Sequence, residues 1–449
     1  MNDYLKSREI LEKNQAFICG GVVSVNRSVE PGIVFTKGMG AYLWDVEKHQ
    51  YIDYHAAFAP HLLGHNDPDV NAAVVRTLDA GNSLYGAGTT ELEGKLAELL
   101  CTHIPAINSV QFLNTGSEAT AQAIRVARAA TGRSHIIKMQ GGYNGWHNDV
   151  SCNLMTSLVD LGPRVSPGEY TYEPISAGVP LEHQGLVHVI NFNDLDSVRY
   201  VCERHPIAAL ITEPILQNIG IVKPAPGYLR GLRELADQYE FVLIFDEVKT
   251  GFRHAIGGYS SIAQVLPDLM VLGKAMANGY PISALGGKDE IMKYFIHSDP
   301  SKRVLLAGTY NAHPVPTIAA IATIERLLAN HGEVYSRLEA LGAMMQEGLG
   351  QIIKKLSLKA VVARQSSAFC LYFMDHPPRD WHDLAQNHDF DLDRALRVEL
   401  VRRGIYFFPV PVKQCSISFA HTESDIEETL TQVEAALRVV AASSVRKVV

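Results

Sequence analysis

Between residues 65 and 330, short apolar runs alternate with amphipathic stretches. The runs His135-Ile136-Ile137-Lys138, Ala208-Ala209-Leu210-Ile211 and Phe241-Val242-Leu243-Ile244-Phe245 are too short for helices and too apolar for half-exposed strands. They predict strands of a parallel sheet covered on both faces. Helices are predicted over 117–130, closed by Gly132, and over 227–239. The alternation predicts a doubly wound α/β domain. Ahead of it come an arm and a small sheet over 1–64, with strands in Gly40–Asp45 and Gln50–Tyr54 around the charged turn Glu47-Lys48-His49. The last segment, 331–449, reads as a smaller α/β C-terminal domain with β-type runs such as Phe369–Phe373. Its final helix is predicted to start at Ser424, where Ser424 and Glu427 make an S-x-x-E capping pattern. Periodicity fails over 151–185, where Pro163, Gly168, Pro174 and Pro180 break the chain. That stretch predicts an active-site lid or a disordered insertion.

Composition narrows the classes. The chain has 449 residues, 47% apolar and 20% charged, which is ordinary for a globular protein and too large for one core. A formal charge of −8 gives no electrostatic reason to expect nucleic acid or an anionic membrane as partner. The six cysteines are scattered without a CxxC pair, which predicts buried reduced thiols, no disulfide framework and no metal site. No apolar stretch of signal-peptide or membrane-span type is present, so a cytoplasmic location is expected.

The chemistry concentrates in Leu243-Ile244-Phe245-Asp246-Glu247-Val248-Lys249-Thr250-Gly251-Phe252-Arg253, an apolar strand running into two carboxylates and a glycine turn. Strand C-termini of an open α/β sheet face the ligand crevice, which puts Asp246 and Glu247 where ligands bind. Such a pair also serves as a surface turn or a helix cap, and both readings stay open. A second apolar run, Leu269-Met270-Val271-Leu272, ends in Gly273-Lys274. A carboxylate and a lysine in one crevice are what pyridoxal-phosphate (PLP) chemistry requires. The amine forms a Schiff base with the cofactor aldehyde, and the carboxylate keeps the pyridine nitrogen protonated. The sequence lacks G-x-G-x-x-G, Walker, HExxH and GxSxG motifs, leaving Rossmann-type binding, metalloprotease and hydrolase readings without a starting point.

The segment 208–309 resembles the class III (ornithine-type) aminotransferases, most of all the glutamate-1-semialdehyde aminomutase branch. Ala209-Leu210-Ile211-Thr212-Glu213-Pro214, Phe245-Asp246-Glu247-Val248, Thr250-Gly251-Phe252-Arg253, Pro267-Asp268-Leu269, Gly273-Lys274 and Ala307-Gly308-Thr309 occur in family order. Gly20-Gly21, Leu63-Gly64-His65 and Ala420-His421-Thr422-Glu423 extend the likeness over nearly the whole chain. The resemblance implies PLP-dependent transferase fold type I, in which 65–330 is the large cofactor-binding domain. It makes Lys274 the Schiff-base lysine and Asp246 the partner of the pyridine nitrogen. It places Val248 on one ring face and Tyr143 on the other, Asn218 near the phenolic oxygen, and Glu213 behind the site. Gly116 and Ser117, at a loop running into a helix, are implied to cradle the phosphate, a role suited to a helix N-terminus; a plain capping box is the alternative. Thr309 is implied to reach the phosphate of a neighbouring subunit, hence a homodimer with shared active sites.

For the substrate, Arg27 is the candidate carboxylate receptor, because arginine's planar fork suits that group, with Ser24 as helper. Phe58 stands where the aminomutase has tryptophan, and Tyr85 joins the same pocket. Two departures point away from the aminomutase: Lys413 aligns with its glutamate, and Asn144 replaces the histidine that follows the stacking tyrosine. The expectation is an aminotransferase moving an amino group between an amino acid, attractively a β-amino acid, and a keto acid. The aminomutase or another isomerase on the same scaffold is the alternative.

Overall fold

The computed structural model describes residues 4–445. The outermost positions of the first and last predicted segments, 1–3 and 446–449, lie outside the described residues. Contacts divide the chain into two compact units. One comprises Pro68–Tyr335 with Pro378–Asn387; the other joins the chain up to Asp67 with Ser336–Pro377 and everything from His388 onward.

The first unit is built on a seven-stranded sheet: β1 (Ser109–Leu113), β2 (His135–Met139), β3 (Val187–Ile190), β4 (Ile207–Thr212), β5 (Val242–Asp246), β6 (Leu269–Leu272) and β7 (Ser283–Gly287). Their order is β1-β7-β6-β5-β4-β2-β3. The pairs β2/β3, β2/β4, β4/β5 and β5/β6 are parallel, and only β7 runs against its neighbours. Every residue of β3 through β7 is buried, as expected of strands with helices on both faces. The predicted α/β class with a mainly parallel central sheet is what the chain forms.

Local signals explain the helices that frame this sheet. Helix Gly116–Thr131 is closed at one end by a Thr115–Glu118 capping box and at the other by Gly132 at φ +67°. Helix Tyr228–Tyr239 buries Tyr228, Leu229, Leu232, Leu235 and Ala236, one stripe at helical spacing. The breaker-rich 151–185 stretch carries two single-turn helices, Leu158–Leu161 and Leu181–Gln184. It is tied to its unit by Trp381 Nε1 donating to the Thr156 carbonyl at 2.9 Å and by Tyr170 Oη donating to Asn191 at 3.1 Å.

The second unit contains a four-stranded sheet with Phe35–Met39, Tyr42–Asp45, Gln50–Asp53 and Ile405–Tyr406, and a three-stranded sheet with Val361–Gln365, Ala368–Tyr372 and Cys415–Ser416. Its last helix spans Glu423–Val445, so the predicted start at Ser424 is corrected. Thr422, not Ser424, makes the cap: its hydroxyl accepts from Asp425 N at 3.2 Å, and Asp425 Oδ2 accepts from Thr422 N at 2.8 Å. The aspartate closes the box two residues earlier than the Ser424/Glu427 spacing suggests. The six thiols are unpaired, but only Cys152, Cys370 and Cys415 are buried, and Cys19 is exposed. Among the described residues no helix is long and apolar enough to cross a membrane.

Candidate active site

The carbonyl ends of β4, β5 and β6 deliver Glu213, Asp246 and Lys274 in turn. Asp246 closes β5, is 4% exposed, and spends its oxygens on neutral donors. Asn144 Nδ2 donates to Oδ2 at 2.8 Å, and Val248 N donates to Oδ1 at 3.1 Å. Burial pushes the Asp246 carboxyl above its ordinary range, opposed by Asn144, the Lys274 charge and the Val248 amide. Among the described residues it makes no ion pair.

Glu247, one residue on, points the other way, as alternation along an extended chain requires. Its Oε2 accepts from Thr250 Oγ1 at 2.6 Å and Tyr259 N at 2.7 Å, and its Oε1 accepts from Ser260 N at 2.7 Å. It caps the short helix Gly258–Ala263, where any side chain at Gly258 would run into its carboxylate. The expectation that both carboxylates face the ligand is therefore corrected: Asp246 is available and Glu247 is a cap.

Lys274 follows Gly273 with a left-handed φ of +44°. That conformation costs a non-glycine residue on the order of 1 kcal/mol or more, and such strain is retained where the surroundings fix a side chain. Burial holds the Lys274 amine below its ordinary value, countered by the charges of Asp246 and Glu213 and reinforced by that of Arg253. Lys138 is the counter-example. It is fully buried in β2, yet its amine donates to the carbonyls of Cys152 at 2.6 Å and Gly142 at 3.3 Å. Its donors are spent on fixing the loop that carries Tyr143.

That loop, Gly141-Gly142-Tyr143-Asn144-Gly145, is held at both ends. Tyr143 N donates to Glu213 Oε1 at 3.1 Å, while Gln217 N donates to Glu213 Oε2 at 2.9 Å. Thr120 Oγ1 donates to the Asn144 carbonyl at 2.6 Å. Burial, with the nearby Asp246 charge, pushes the Glu213 carboxyl up to about 7. Burial also raises the Tyr143 phenol, with Asp246 adding and the Ser117 hydroxyl opposing. Asn218 is half-buried beyond the same turn.

The start of helix Gly116–Thr131 completes the cluster. Its capping box uses Thr115 and Glu118, so Ser117 is not the cap and its hydroxyl is left for other partners. A methyl group on Gly116 would lie 3.0 Å from both Val248 methyls, and one on Gly145 would lie 2.9 Å from Ser117 Oγ. Glycine is thus what lets the helix start, Val248 and the Tyr143 loop come together. A nearby turn is drawn in by Asn114 Nδ2 donating to Asn311 Oδ1 at 3.0 Å, which leaves Thr309 exposed on its loop.

Gly116, Ser117, Tyr143, Glu213, Asn218, Asp246, Val248, Lys274, Thr309 and Tyr85 all belong to the sheet-bearing unit. Tyr85 stands exposed on the segment before helix Glu91–His103. Ser24, Arg27 and Phe58 belong to the other unit. Arg27 is exposed in the turn Val25–Arg27. Phe58 lies in a left-handed turn of four non-glycine residues, Ala56 to Ala59, with φ between +48° and +82°. Asp53 holds this turn by accepting from His55 N at 2.8 Å and Ala56 N at 3.1 Å. Sequence reasoning missed Asn144 and Lys138 as positioning groups. Asn144 was legible only as a departure beside Tyr143, and Lys138 only as a polar residue in an otherwise apolar strand.

The donor set suits PLP. A buried carboxylate hydrogen-bonded only to neutral donors matches a protonated ring nitrogen. Asn144 Oδ1 is buried without a hydrogen-bond partner beside that carboxylate. The glycine-bearing helix start offers backbone N–H groups to an anion. Lys274, with its charge disfavoured, presents a nucleophilic amine.

The chain as a whole is similar to known proteins. A family model described as aminotransferase class III matches residues 23–435. The glutamate-1-semialdehyde 2,1-aminomutase of Syntrophomonas wolfei is 37% identical over 439 residues, covering 96% of this chain and 98% of that protein. An omega-transaminase from Sphaerobacter thermophilus superposes with a TM-score of 0.89 at 29% identity, covering 97% of this chain and 98% of that one. A β-phenylalanine aminotransferase from Variovorax paradoxus gives a TM-score of 0.81 at 28% identity, covering 98% and 95%.

Proposed function

Because this chain belongs to the class III aminotransferase family, we propose that it is an aminotransferase moving an amino group between an amino acid and a keto acid. The family's cofactor, pyridoxal phosphate, supplies an aldehyde carbon that takes up an amine and a ring that withdraws electrons. The observation that carries the reading is Asp246: a buried carboxylate with neutral donors only, close enough to Lys274 for each charge to act on the other.

In this reading Lys274 anchors the cofactor through its amine, then uses the freed amine to take and return a proton at the substrate Cα. Asp246, oriented by Asn144, holds the proton on the ring nitrogen. Val248 and Tyr143 would enclose the ring and Asn218 would serve its phenolic oxygen, while Glu213 fixes the Tyr143 loop from behind. Gly116 and Ser117 receive the phosphate, together with Thr309 of a second subunit, so the working form is a homodimer. The exposure of Leu305 and Tyr310 around Thr309 supports that part, since an apolar loop tip suits an interface. Sedimentation at micromolar concentration checks it: a monomer that retains full activity would remove the role given to Thr309. The expected location is cytoplasmic.

Arg27, helped by Ser24, receives the substrate carboxylate, with Phe58 and Tyr85 as aromatic walls. A β-amino acid is the proposed donor class, supported by the likeness to the β-phenylalanine aminotransferase. Amine acceptance across an amino-acid panel with pyruvate and 2-oxoglutarate tests this; no turnover of any β-amino acid would end it. The aminomutase reading is favoured by the 37% identity to the Syntrophomonas wolfei protein. Lys413, a half-buried cation where that branch has a glutamate, weighs against it. Product formed without any added keto acid would decide for the isomerase.

A further inference from the structure

The opposite ends of the strands in the same sheet hold a cluster that the amino-group chemistry does not use. His135 opens β2, His188 lies in β3 and His205 comes just before β4. The parallel pairing sets Ile137 beside His188 and His135 beside Ile207, which brings all three imidazoles to the amide ends of adjacent strands. Strand β4 separates His205 from Glu213, about 20 Å at the usual rise per residue.

One ligating nitrogen from each ring can be chosen so that all three lie within 4.8 Å of one another. His135 Nδ1 and His188 Nε2 are 3.0 Å apart. On its other side His188 Nδ1 lies 2.5 Å from Glu169 Oε2, and Glu169 Oε1 is 3.9 Å from His205 Nε2. An imidazole that gives one N–H to a carboxylate presents the lone pair of its other nitrogen, which is the usual arrangement behind a metal-bound histidine. Here that lone pair points at a second imidazole nitrogen.

We propose that His135, His188 and His205 form a binding site for a late first-row divalent cation of the zinc type, with Glu169 orienting His188. Metal–nitrogen bonds of 2.0–2.1 Å place tetrahedral ligands roughly 3.3 Å apart. The His135–His188 pair is close to that spacing, and His205, a third exposed, packs its ring 4.1 Å from that of His188 and 5.2 Å from that of His135. Three imidazoles without a thiolate suit zinc, copper or nickel, whereas magnesium and calcium prefer all-oxygen sites. The nearest cations are occupied. Arg128 donates to Asp149 at 2.8 Å, and Arg204 stacks over Tyr200 at 3.6 Å. Glu169, in contact with His188 Nδ1 and facing His205, supplies a carboxylate to the cluster.

Chelator-treated, tag-free holoenzyme dialysed against Zn²⁺ alone, with bound zinc read by elemental analysis, tests the site. One zinc per chain is expected at low micromolar free metal. His205→Ala and His135→Gln should abolish that uptake, and Glu169→Gln should weaken it by about 10–100-fold. The cofactor absorbance at the other ends of the strands should stay unchanged in each variant and confirm its fold. Uptake below a tenth of an equivalent in the wild type, or equal uptake in the wild type and the folded His205→Ala variant, would overturn the proposal and leave the His135–His188 contact a plain hydrogen bond.

Discussion

At the carbonyl ends of β4, β5 and β6 the sheet gathers Glu213, Asp246 and Lys274, whereas at the amide ends of β2, β3 and β4 it gathers His135, His188 and His205. Both groups are polar and sit at the rim of an apolar sheet, where strand ends can carry polar side chains without breaking the ladder. They differ in how their charges are met. Burial raises Asp246 and lowers Lys274 from their ordinary values, while Glu169 answers the histidines directly. The lesson is that reactive groups are recognised by unmet demand, not by burial. Glu247 and Lys138 are as buried as Asp246, but their hydrogen bonds are spent on a helix start and two carbonyls.

Substitutions can break this comparison. Lys274→Ala should have the largest effect, losing covalent cofactor attachment and about a thousandfold or more in turnover, because anchor and proton carrier vanish together. Steady-state turnover with a transferable amine reads it. Asp246→Asn keeps the shape and removes the charge, and should cost on the order of a hundredfold in kcat, the scale of one preorganised electrostatic contact. Asn144→Ala sharpens the contrast within the same pair. Removing a hydrogen bond to a charged group costs about 1.5–3 kcal/mol, so a loss in kcat of roughly tenfold to a hundredfold is expected, with bound cofactor retained.

Glu247→Gln should do the reverse. It leaves Thr250, Tyr259 and Ser260 competing for one acceptor oxygen and lowers the melting temperature by several degrees, with cofactor absorbance intact. Equal loss of the cofactor band in Glu247→Gln and Asp246→Asn would erase the distinction drawn between them. The smallest effect belongs to Glu213. Its folded value near 7 lies above the ordinary carboxylate value, so its contribution to stability is full below the unfolded value and is lost as pH rises through about 7. Cofactor-free protein should therefore melt lower at pH 8 than at pH 5, and Glu213→Gln should flatten that slope.

Much of this frame was legible in the chain. The apolar runs at 208–211 and 241–245 sit within one residue of β4 and β5, because a strand covered on both faces has no choice but to be apolar. Gly132 closes its helix as expected for a residue free to take positive φ. The Asp246-Glu247 pair was legible as a strand end, but which carboxylate faces outward depends on what caps helix Gly258–Ala263. The last helix was read from Ser424 because its glutamate looked like a capping box, while the aspartate at 425 closes the real one. Asn144 meets Asp246 across 102 positions, and His135 meets His188 across 53, and no local spacing announces either. Those contacts are products of strand order, which periodicity does not encode.

The central claim is that Lys274 is the residue that carries the cofactor. Borohydride reduction of the yellow holoenzyme followed by peptide mapping tests it most directly. A single pyridoxyl-lysine peptide at position 274 is the predicted result; the label on Lys138, Lys249 or any other lysine, or no labelled peptide from active enzyme, would contradict it.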